Sequence, residues 1–337
     1  MEPANFDGLT PDAVFTAAEQ ALGGRFSGVL MPLHSYINRV YEVERSDDRA
    51  RFILKFYRPG RWSREALLEE HLFTLECRSA EIPVVTPLRL NSGGTLGETP
   101  EGFRFAAFPK RWGRILEVDS PEVWTRLGAL LGRVHNVGER RSAPARLRLD
   151  PRETTLREAA RLLCTGAASP NVVRRLEPVL KGLLDVLFRR WRPSESIRLH
   201  GDCHKGNVLC RPEEGLMLID FDDMLTGPPV QDLWLLLPGP PGECARELEL
   251  LLEGYEQFRR FDRSSLDQIE LLRAMRMIYF LDWCGRQRGD ANFEERCPGW
   301  GSDAFWHAEI AQLEEQLERI RRPSPPPANR EKSRRLP

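Results

Sequence analysis

The sequence lacks long apolar runs and a cysteine framework, and each absence excludes a class of protein. No apolar run reaches the length that a membrane-spanning helix needs. The N-terminal segment is acidic and has no apolar core of the secretory-signal type, so we expect a cytoplasmic location. The seven cysteines are scattered and odd in number, which in a chain of 337 residues is typical of reduced thiols.

An excess of charge of one sign is also lacking. The formal net charge is -1, which gives no support for a nucleic acid or a membrane surface as the main partner. Hydrophobic residues make up 41% and charged residues 29%, as in ordinary soluble globular proteins. The length suits one large or two modest domains, and nothing demands a second subunit, so we expect a monomer.

The first part of the chain combines strand patterns with helices. Residues 11–22 have helical spacing after a possible N-cap at Thr10, and residues 63–78 form a second amphipathic pattern. Strands are predicted at residues 40–43 and 51–56, and a further hairpin at Gly93-Gly94 with residues 103–108. We therefore predict that residues 1–110 form a mostly antiparallel sheet with one embedded helix.

The character of the sequence changes after Ser120. Helical patterns dominate residues 111–320, apart from a strand-rich island at 197–220, and residues 266–284 are apolar enough for a buried helix. The tail, residues 321–337, is rich in Pro and Arg and is predicted to be disordered. The fold class is α+β, with a sheet-containing N-terminal lobe and a larger, mainly helical C-terminal lobe.

The chemistry is concentrated in residues 199–223, which contain the sequences L-H-G-D-C-H-K-G-N-V-L and M-L-I-D-F-D-D. Asp202 and Asn207 share one loop, and an apolar strand leads to Asp220. Phosphoryl transfer needs such a set, because one carboxylate orients the acceptor hydroxyl while an amide oxygen and a second carboxylate hold Mg²⁺ against the phosphates. Protein kinases use the same order in H-R-D-x-x-x-x-N and D-F-G. We predict a kinase that uses ATP and Mg²⁺, with Asp202 and Asp220 as catalytic carboxylates and Asn207 and Asp220 as metal ligands.

A zinc site is the competing interpretation of this segment. His200, Cys203, His204 and Cys210 can all bind zinc, but their spacing fits no common zinc motif. We favour buried thiols, and a His200 that supports the loop through hydrogen bonds.

Lys55 is the predicted cation for the α- and β-phosphates. It lies in the apolar strand F-I-L-K-F, where a lysine is costly unless an anion meets it. Its predicted partner on the following helix is Glu70, ahead of Glu69 and Glu65.

The loop that covers the phosphates is expected before these strands. A G-x-G-x-x-G motif is missing, and residues 34–41 read H-S-Y-I-N-R-V-Y instead. Backbone N–H groups and the Ser35 hydroxyl can still bind phosphate oxygens, since anion binding needs donors rather than glycine itself. Ser35 and Asn38 are therefore predicted nucleotide contacts.

Three further features bear on mechanism. Asp232 begins an apolar helix, and it can cap that helix, brace the catalytic loop, or do both. Gly201 stands where protein kinases have Arg, and little chain separates Asp220 from Asp232, so we expect activity without activation-loop phosphorylation. A group of mostly charged residues in the helical lobe could bind the phosphate acceptor, or could simply form a solvated helix edge. This predicted acceptor platform consists of Arg273, Arg276, Asp282, Trp283, Arg286 and Arg288.

These motifs resemble the aminoglycoside phosphotransferase/choline kinase superfamily, with its H-G-D-x-x-x-x-N loop and D-x-D metal motif. The flanking segments S-Y-I-N-R-V-Y-E-V, F-I-L-K-F-Y-R-P-G-R-W and G-P-P-V-Q-D-L-W-L-L-L are similar to the stress response kinase A family. The resemblance covers residues 10–310 approximately and leaves out the tail.

The resemblance implies a bilobal, protein-kinase-like fold with ATP between the lobes and a hinge near Phe108-Pro109-Lys110, so Phe108 and Lys110 are expected nucleotide contacts. It implies Asp202 as proton acceptor, and it places Ser35 at a nucleotide-contacting position. The family implies a cytoplasmic Ser/Thr protein kinase linked to stress. A small-molecule kinase acting on an aminoglycoside, amino alcohol or sugar stays open, as does a pseudokinase.

Overall fold

The computed structural model describes residues 5–35, 37–118, 120–164, 168–212, 214–289 and 293–322. The chain divides into two compact units. One comprises the residues up to Arg148 together with Glu195–Phe261, and the other comprises Leu149–Ser194 and the residues from Asp262 onward. The predicted lobe boundary near residue 110 lies within the first unit and stays a prediction. Of the predicted tail, residues 323–337 lie outside the described residues.

The helices of the described residues are α1 (Pro11–Leu22), α2 (Arg64–Ser79), α3 (Pro121–Gly138), α4 (Thr155–Cys164), α5 (Pro170–Arg190), α6 (Val230–Trp234), α7 (Ala245–Tyr255), α8 (Ile269–Gln287), α9 (Phe293–Arg296) and α10 (Asp303–Arg321). The strands are β1 (Phe26–Leu33), β2 (Arg39–Arg45), β3 (Arg51–Phe56), β4 (Gly97–Glu98), β5 (Arg104–Pro109), β6 (Arg114–Ile115), β7 (Ile197–Leu199), β8 (Val208–Arg211), β9 (Gly215–Leu218) and β10 (Leu225–Gly227). Within the described ranges, no helix combines the length and the hydrophobicity that crossing a bilayer requires.

The first unit contains an antiparallel sheet with strand order β1-β2-β3-β5-β4. Alternate residues of β3 face opposite sides, so Leu54 and Phe56 join an apolar core with α1, while Lys55 projects from the other face. This sheet and the helices after residue 120 confirm the predicted α+β class. One local prediction is also confirmed, since the Thr10 hydroxyl caps α1. Ser63 caps α2, which was not predicted.

Two features of the sheet were not predicted correctly. Strand β1 was missed because it is mostly exposed and contains Gly28 and Pro32, so it shows no alternation of apolar and polar residues. The hairpin between β4 and β5 turns at residues 99–103, where the Thr99 N–H donates to the Phe103 carbonyl. Gly93-Gly94 instead closes an earlier turn, in which the Leu90 N–H donates to the Gly94 carbonyl.

Two small sheets hold the catalytic segment within the same unit. Strand β7 pairs with β10, and β8 pairs with both β6 and β9. The loop between β7 and β8 carries Asp202 and ends in a 3₁₀ turn at Lys205–Asn207. Strand β9 leads directly to Asp220.

The second unit consists of helices α4, α5, α8, α9 and α10. The predicted helix 266–284 is α8, preceded by a 3₁₀ turn at Arg263–Gln268. Asp282 on α8 is 3% exposed and binds Arg161 through two bonds of 2.7 Å, with Arg286 at 3.1 Å. This part of the predicted acceptor platform is therefore an internal ion-pair network that joins α4 to α8.

Glu158 on α4 makes the second unit sensitive to pH. Burial raises the pKa of its carboxyl group from 4.5 to about 7, with a further contribution from the Asp282 carboxylate. The folded chain holds this proton more tightly than the unfolded chain, so stability falls as the pH rises from about 4.5 to about 7. Glu158→Gln removes the ionisation and should stabilise the protein at pH 8 by at most about 3 kcal/mol, with little effect at pH 5.

The measurement is the thermal unfolding midpoint of both proteins at these two pH values. Glu177→Gln is the matched control, because Glu177 is an exposed residue of α5 that pairs with Lys181. An equal shift of the Glu158→Gln protein at both pH values would contradict the assignment.

Candidate active site

The catalytic loop is anchored by a buried carboxylate. Asp232 is 0% exposed, and its two oxygens accept hydrogen bonds from the backbone N–H groups of His200 at 2.8 Å and Gly201 at 2.9 Å. His135 Nε2 lies 3.1 Å from the same carboxylate. Of the two predicted roles, bracing the loop is therefore the one observed. Helix α6 begins at Val230, and the Asp232 side chain does not cap it.

Gly201 allows the loop to pass close to the D-x-D segment. Its φ is +87°, and a Cβ atom there would lie 2.0 Å from the Asp223 carbonyl oxygen. No L-residue side chain fits this position without moving the backbone, so an arginine like that of protein kinases is excluded by geometry.

Asn207 ties the end of the loop to its beginning. Its side-chain Nδ2 donates to the Asp202 carbonyl at 2.9 Å, and its own carbonyl accepts from the Ile219 N–H at 3.0 Å. The amide nitrogen is thus used by the loop, and the amide oxygen is the atom suited to a cation. The Asp202 side chain is 26% exposed.

Asp220 follows β9 in a strained conformation. Its φ is +60°, which is uncommon for a residue other than glycine and tends to occur at functional sites. His200 supports this position, because its Nε2 lies 2.9 Å from the Ile219 carbonyl oxygen and its ring packs against Phe221. The predicted supporting role of His200 is observed. The Asp220 side chain itself is 50% exposed.

Lys55 reaches the D-x-D segment from strand β3. Its Nζ lies 2.7 Å from Asp220 Oδ1 and 3.6 Å from Asp222 Oδ1. Burial opposes the charge of Lys55, but Asp220, Asp222 and Glu70 together outweigh it and raise the pKa of the ammonium group. The ion pair brings together two predicted site residues that are 165 positions apart in the chain.

The predicted direct partner of Lys55 on α2 needs correction. Glu70 is 3% exposed, and burial raises its pKa to about 7 although the nearby charge of Lys55 acts in the opposite direction. Among the described contacts, the ion pairs of Lys55 go to the aspartates and not to Glu70, because the aspartates lie closer to Nζ. Glu69 is excluded as the partner, since its carboxylate accepts from the Ala145 N–H.

The Asp222 carboxylate is buried and contacts polar and charged side chains of the protein. It is 4% exposed, accepts from Asn38 Nδ2 at 3.2 Å, and forms an ion pair with Arg61. Burial opposes its charge, but Lys55, Arg61 and Arg146 keep the pKa of the carboxyl group well below its usual range. Asp220 and Asp222 thus have opposite surroundings, one open and one closed.

The remaining predicted nucleotide contacts are also placed. Asn38 uses its amide nitrogen on Asp222 and accepts from the Arg58 N–H at 3.0 Å, so both ends of the amide serve the fold. Ser35 is half-buried in the same loop, in which residue 36 lies outside the described part. Phe108 and Lys110 lie at the end of β5, and Lys110 forms an ion pair with Glu42. Their contacts with a nucleotide stay predictions.

The candidate metal ligands are few, which suits Mg²⁺ better than a metal that is bound by protein side chains alone. No group of three or more His, Cys, Asp or Glu side chains suited to a metal ion occurs in the part of the chain that the structure describes. Asn207 and Asp220 offer an amide oxygen and a carboxylate, and Mg²⁺ is commonly held by one or two such oxygens together with substrate phosphates. Cys203 of the alternative zinc set is buried, which raises its thiol pKa.

The sequence profile of the phosphotransferase enzyme family matches residues 29–269. The chain belongs to this family. Stress response kinase A of Escherichia coli (strain K12) is 37% identical over 326 residues, which cover 94% of this chain and 95% of the relative. A Salmonella typhimurium (strain LT2) relative, named serine/threonine protein kinase RdoA, is 36% identical with the same coverage. The predicted family resemblance is confirmed.

Solved structures of kinases share the fold of this phosphotransferase. The amicoumacin kinase in complex with AMP-PNP and Ca²⁺ superimposes with a TM-score of 0.69 at 19% identity, covering 91% of this chain and 93% of the other. A microcompartment-associated aminopropanol kinase also gives 0.69, at 18% identity and 92% and 98% coverage. The predicted kinase-like fold is confirmed.

Three contributors to the phosphotransferase site were missed by sequence reasoning. Arg61 and Arg146 neutralise Asp222, and His135 binds Asp232. Each lies on a segment with no catalytic motif, and no local spacing links it to its partner. The Arg61 segment does belong to the block P-G-R-W that is similar to the stress response kinase A family, which is the one available signal.

Gly201→Ala should disable the catalytic loop. The new Cβ would meet the Asp223 carbonyl, and the displaced loop would reduce phosphoryl transfer by roughly a hundredfold or more, since misplacement of about 1 Å has effects of this size. The measurement is the rate of γ-phosphate loss from ATP.

Gly28→Ala is the control, because Gly28 also has a positive φ of +78° but no atom within 4 Å of the added Cβ. It carries the backbone strain without the collision. Comparable losses in both variants would show that close packing at Gly201 is not the cause.

Proposed function

We propose that the protein is an ATP- and Mg²⁺-dependent kinase that transfers the γ-phosphate to a hydroxyl group. The observation that carries the proposal is the ion pair of 2.7 Å between Lys55 and Asp220. It places the predicted phosphate-binding cation beside the predicted metal ligand, within one compact unit that also holds Asp202 and Asn207.

Asn207 and Asp220 would hold the magnesium ion, and the bound ion would neutralise charge on the phosphate oxygens. Lys55 would exchange part of its contact with Asp220 for the α- and β-phosphates. Asp202 would orient the acceptor hydroxyl and take its proton. Ser35 and the backbone of its loop would cover the phosphates, while Phe108 and Lys110 would lie beside the base.

The proposed acceptor is a Ser or Thr hydroxyl of a protein. Support comes from the names of the relatives, one of which is called a serine/threonine protein kinase and others stress response kinases. On the same basis we propose that the enzyme acts in stress. The cysteines, which form no disulfide framework, support a cytoplasmic location, and a monomer is the expected state.

A small hydroxyl compound is the second candidate acceptor. Helix α6 begins at Val230, soon after Asp223, and β10 occupies half of the connection. Protein kinases have a much longer segment here, and its shortness leaves little chain on which to seat a peptide. Amicoumacin kinase and aminopropanol kinase, named for small molecules, share the fold.

The test is transfer of labelled γ-phosphate in the presence of Mg²⁺, with the protein itself, a basic protein and a panel of aminoglycosides and amino alcohols as acceptors. Asp202→Ala should abolish transfer and leave the Kd for ATP nearly unchanged, because Asp202 acts on the acceptor. Asp220→Ala should weaken Mg-ATP binding as well.

The label identifies the acceptor class. Label on Ser or Thr that is lost in Asp202→Ala supports a protein kinase, and label only on a small compound supports the second candidate. ATP binding without transfer to any acceptor or to water would favour a pseudokinase. Equal loss of ATP affinity in both variants would contradict the division of roles.

Phosphatase treatment of the purified protein should leave its rate unchanged. The catalytic loop is braced by hydrogen bonds to the Asp232 side chain and not by an added phosphate, and Gly201 replaces the arginine that could bind one. Rates before and after treatment are compared, with intact mass to verify dephosphorylation. Loss of activity that a phosphate between Asp223 and Gln231 restores would refute this expectation.

A further inference from the structure

His204 lies two residues after Asp202, and the loop fixes the orientation of its imidazole ring. The Gly206 N–H donates a hydrogen bond to His204 Nδ1 at 3.0 Å. A ring nitrogen that accepts a hydrogen bond carries no proton, so the proton of the neutral ring is on Nε2. The tautomer is therefore determined by the backbone of the loop.

Gly206 also provides the space for the ring. A Cβ atom at this position would lie 2.8 Å from His204 Cε1, closer than real Cβ contacts come, and 3.0 Å from Nδ1, tighter than most of them. The intervening Lys205 takes no part, since its Nζ is 5.6 Å from the centre of the Trp124 ring. Gly206 thus donates a hydrogen bond to the imidazole ring and, because it has no Cβ atom, leaves room for the ring.

The other ring nitrogen lies near the predicted proton acceptor. His204 Nε2 is 3.4 Å from Asp202 Oδ2, and the two side chains are 43% and 26% exposed. Catalytic hydrogen bonds are often long before substrate binds and shorten in the reacting complex.

We infer that His204 is a positioning residue that donates its Nε2–H to Asp202 and fixes the rotation of that carboxylate. The inference rests on the proposed role of Asp202 in taking the acceptor proton. A carboxylate held in one rotation keeps the accepting oxygen in one place relative to the incoming hydroxyl. Loss of this contact should lower kcat while ATP affinity is unchanged.

Two amide variants separate the two ring nitrogens. The side-chain nitrogen of Gln can reach the position of Nε2, whereas that of Asn reaches only the position of Nδ1. His204→Gln should keep kcat within about threefold of wild type, and His204→Asn should lose about tenfold or more, with equal Kd for ATP. His307→Ala, an exposed residue of α10, is the control and should leave kcat unchanged.

Gly206→Ala disturbs the ring without altering either side chain. It should reproduce the loss seen in His204→Asn, and the double variant should lose no more than either single variant, because both changes remove one interaction. Equal kcat in His204→Gln and His204→Asn, or full additivity in the double variant, would overturn the inference.

A spectroscopic measurement needs no turnover. Imidazole ¹⁵N NMR of the full chain should show the Nε2–H tautomer for His204, and Asp202→Asn should shift the His204 Nε2 signal while that of His307 stays in place. An Nδ1–H tautomer would refute the inference even if Asp202 proves essential. Full transfer by Asp202→Ala would instead refute the proposed function, and the inferred role would fall with it.

Discussion

The buried carboxylate of Asp232 is the interaction on which the catalytic loop depends. An isolated charge in the interior is costly, and it persists only when hydrogen bonds satisfy it. Here two backbone N–H groups immediately before Asp202 do so, and the charge strengthens both bonds. The same two hydrogen bonds satisfy the buried carboxylate and fix the backbone of the catalytic loop.

Support for this interaction extends through the helices around it. His135 on α3 contacts Asp232 through Nε2. The other ring nitrogen of His135, Nδ1, lies 2.9 Å from the Tyr255 hydroxyl on α7. Helices α3 and α7 approach so closely that a Cβ added at Gly128 would lie 1.8 Å from the Leu251 carbonyl oxygen. A hydrogen-bonded chain from α7 to the loop therefore rests on tight backbone packing, which limits the freedom of each member.

The two aspartates of the D-x-D segment, Asp220 and Asp222, have different electrostatic roles. Asp222 is closed in by Asn38, Arg61 and Lys55, so it organises charges within the fold. Asp220 is half-exposed and its backbone is strained, so it can exchange partners. Lys55 touches both, and this shared cation links strand β3 to the strained position.

Sequence reasoning can select candidate site residues where local spacing encodes them. Asp202, Asn207 and Asp220 follow from one motif, and Lys55 follows from an improbable lysine in an apolar strand. Arg61, Arg146 and His135 did not follow, because each acts on an aspartate far away in the chain and lies in no motif of its own. The fold shows the same limit, since capped helices were predicted while the exposed strand β1, interrupted by Gly28 and Pro32, was not.

A glycine and a short connection occur together at this site. Gly201 brings the loop against the Asp223 carbonyl, so the loop and the D-x-D segment hold each other directly. A protein kinase that links these parts through arginine and a phosphorylated segment can be switched by that phosphate. In this chain the link is backbone packing plus hydrogen bonds to the Asp232 side chain, and a phosphatase removes neither. If the proposed function holds, a phosphate in this connection would not be the switch.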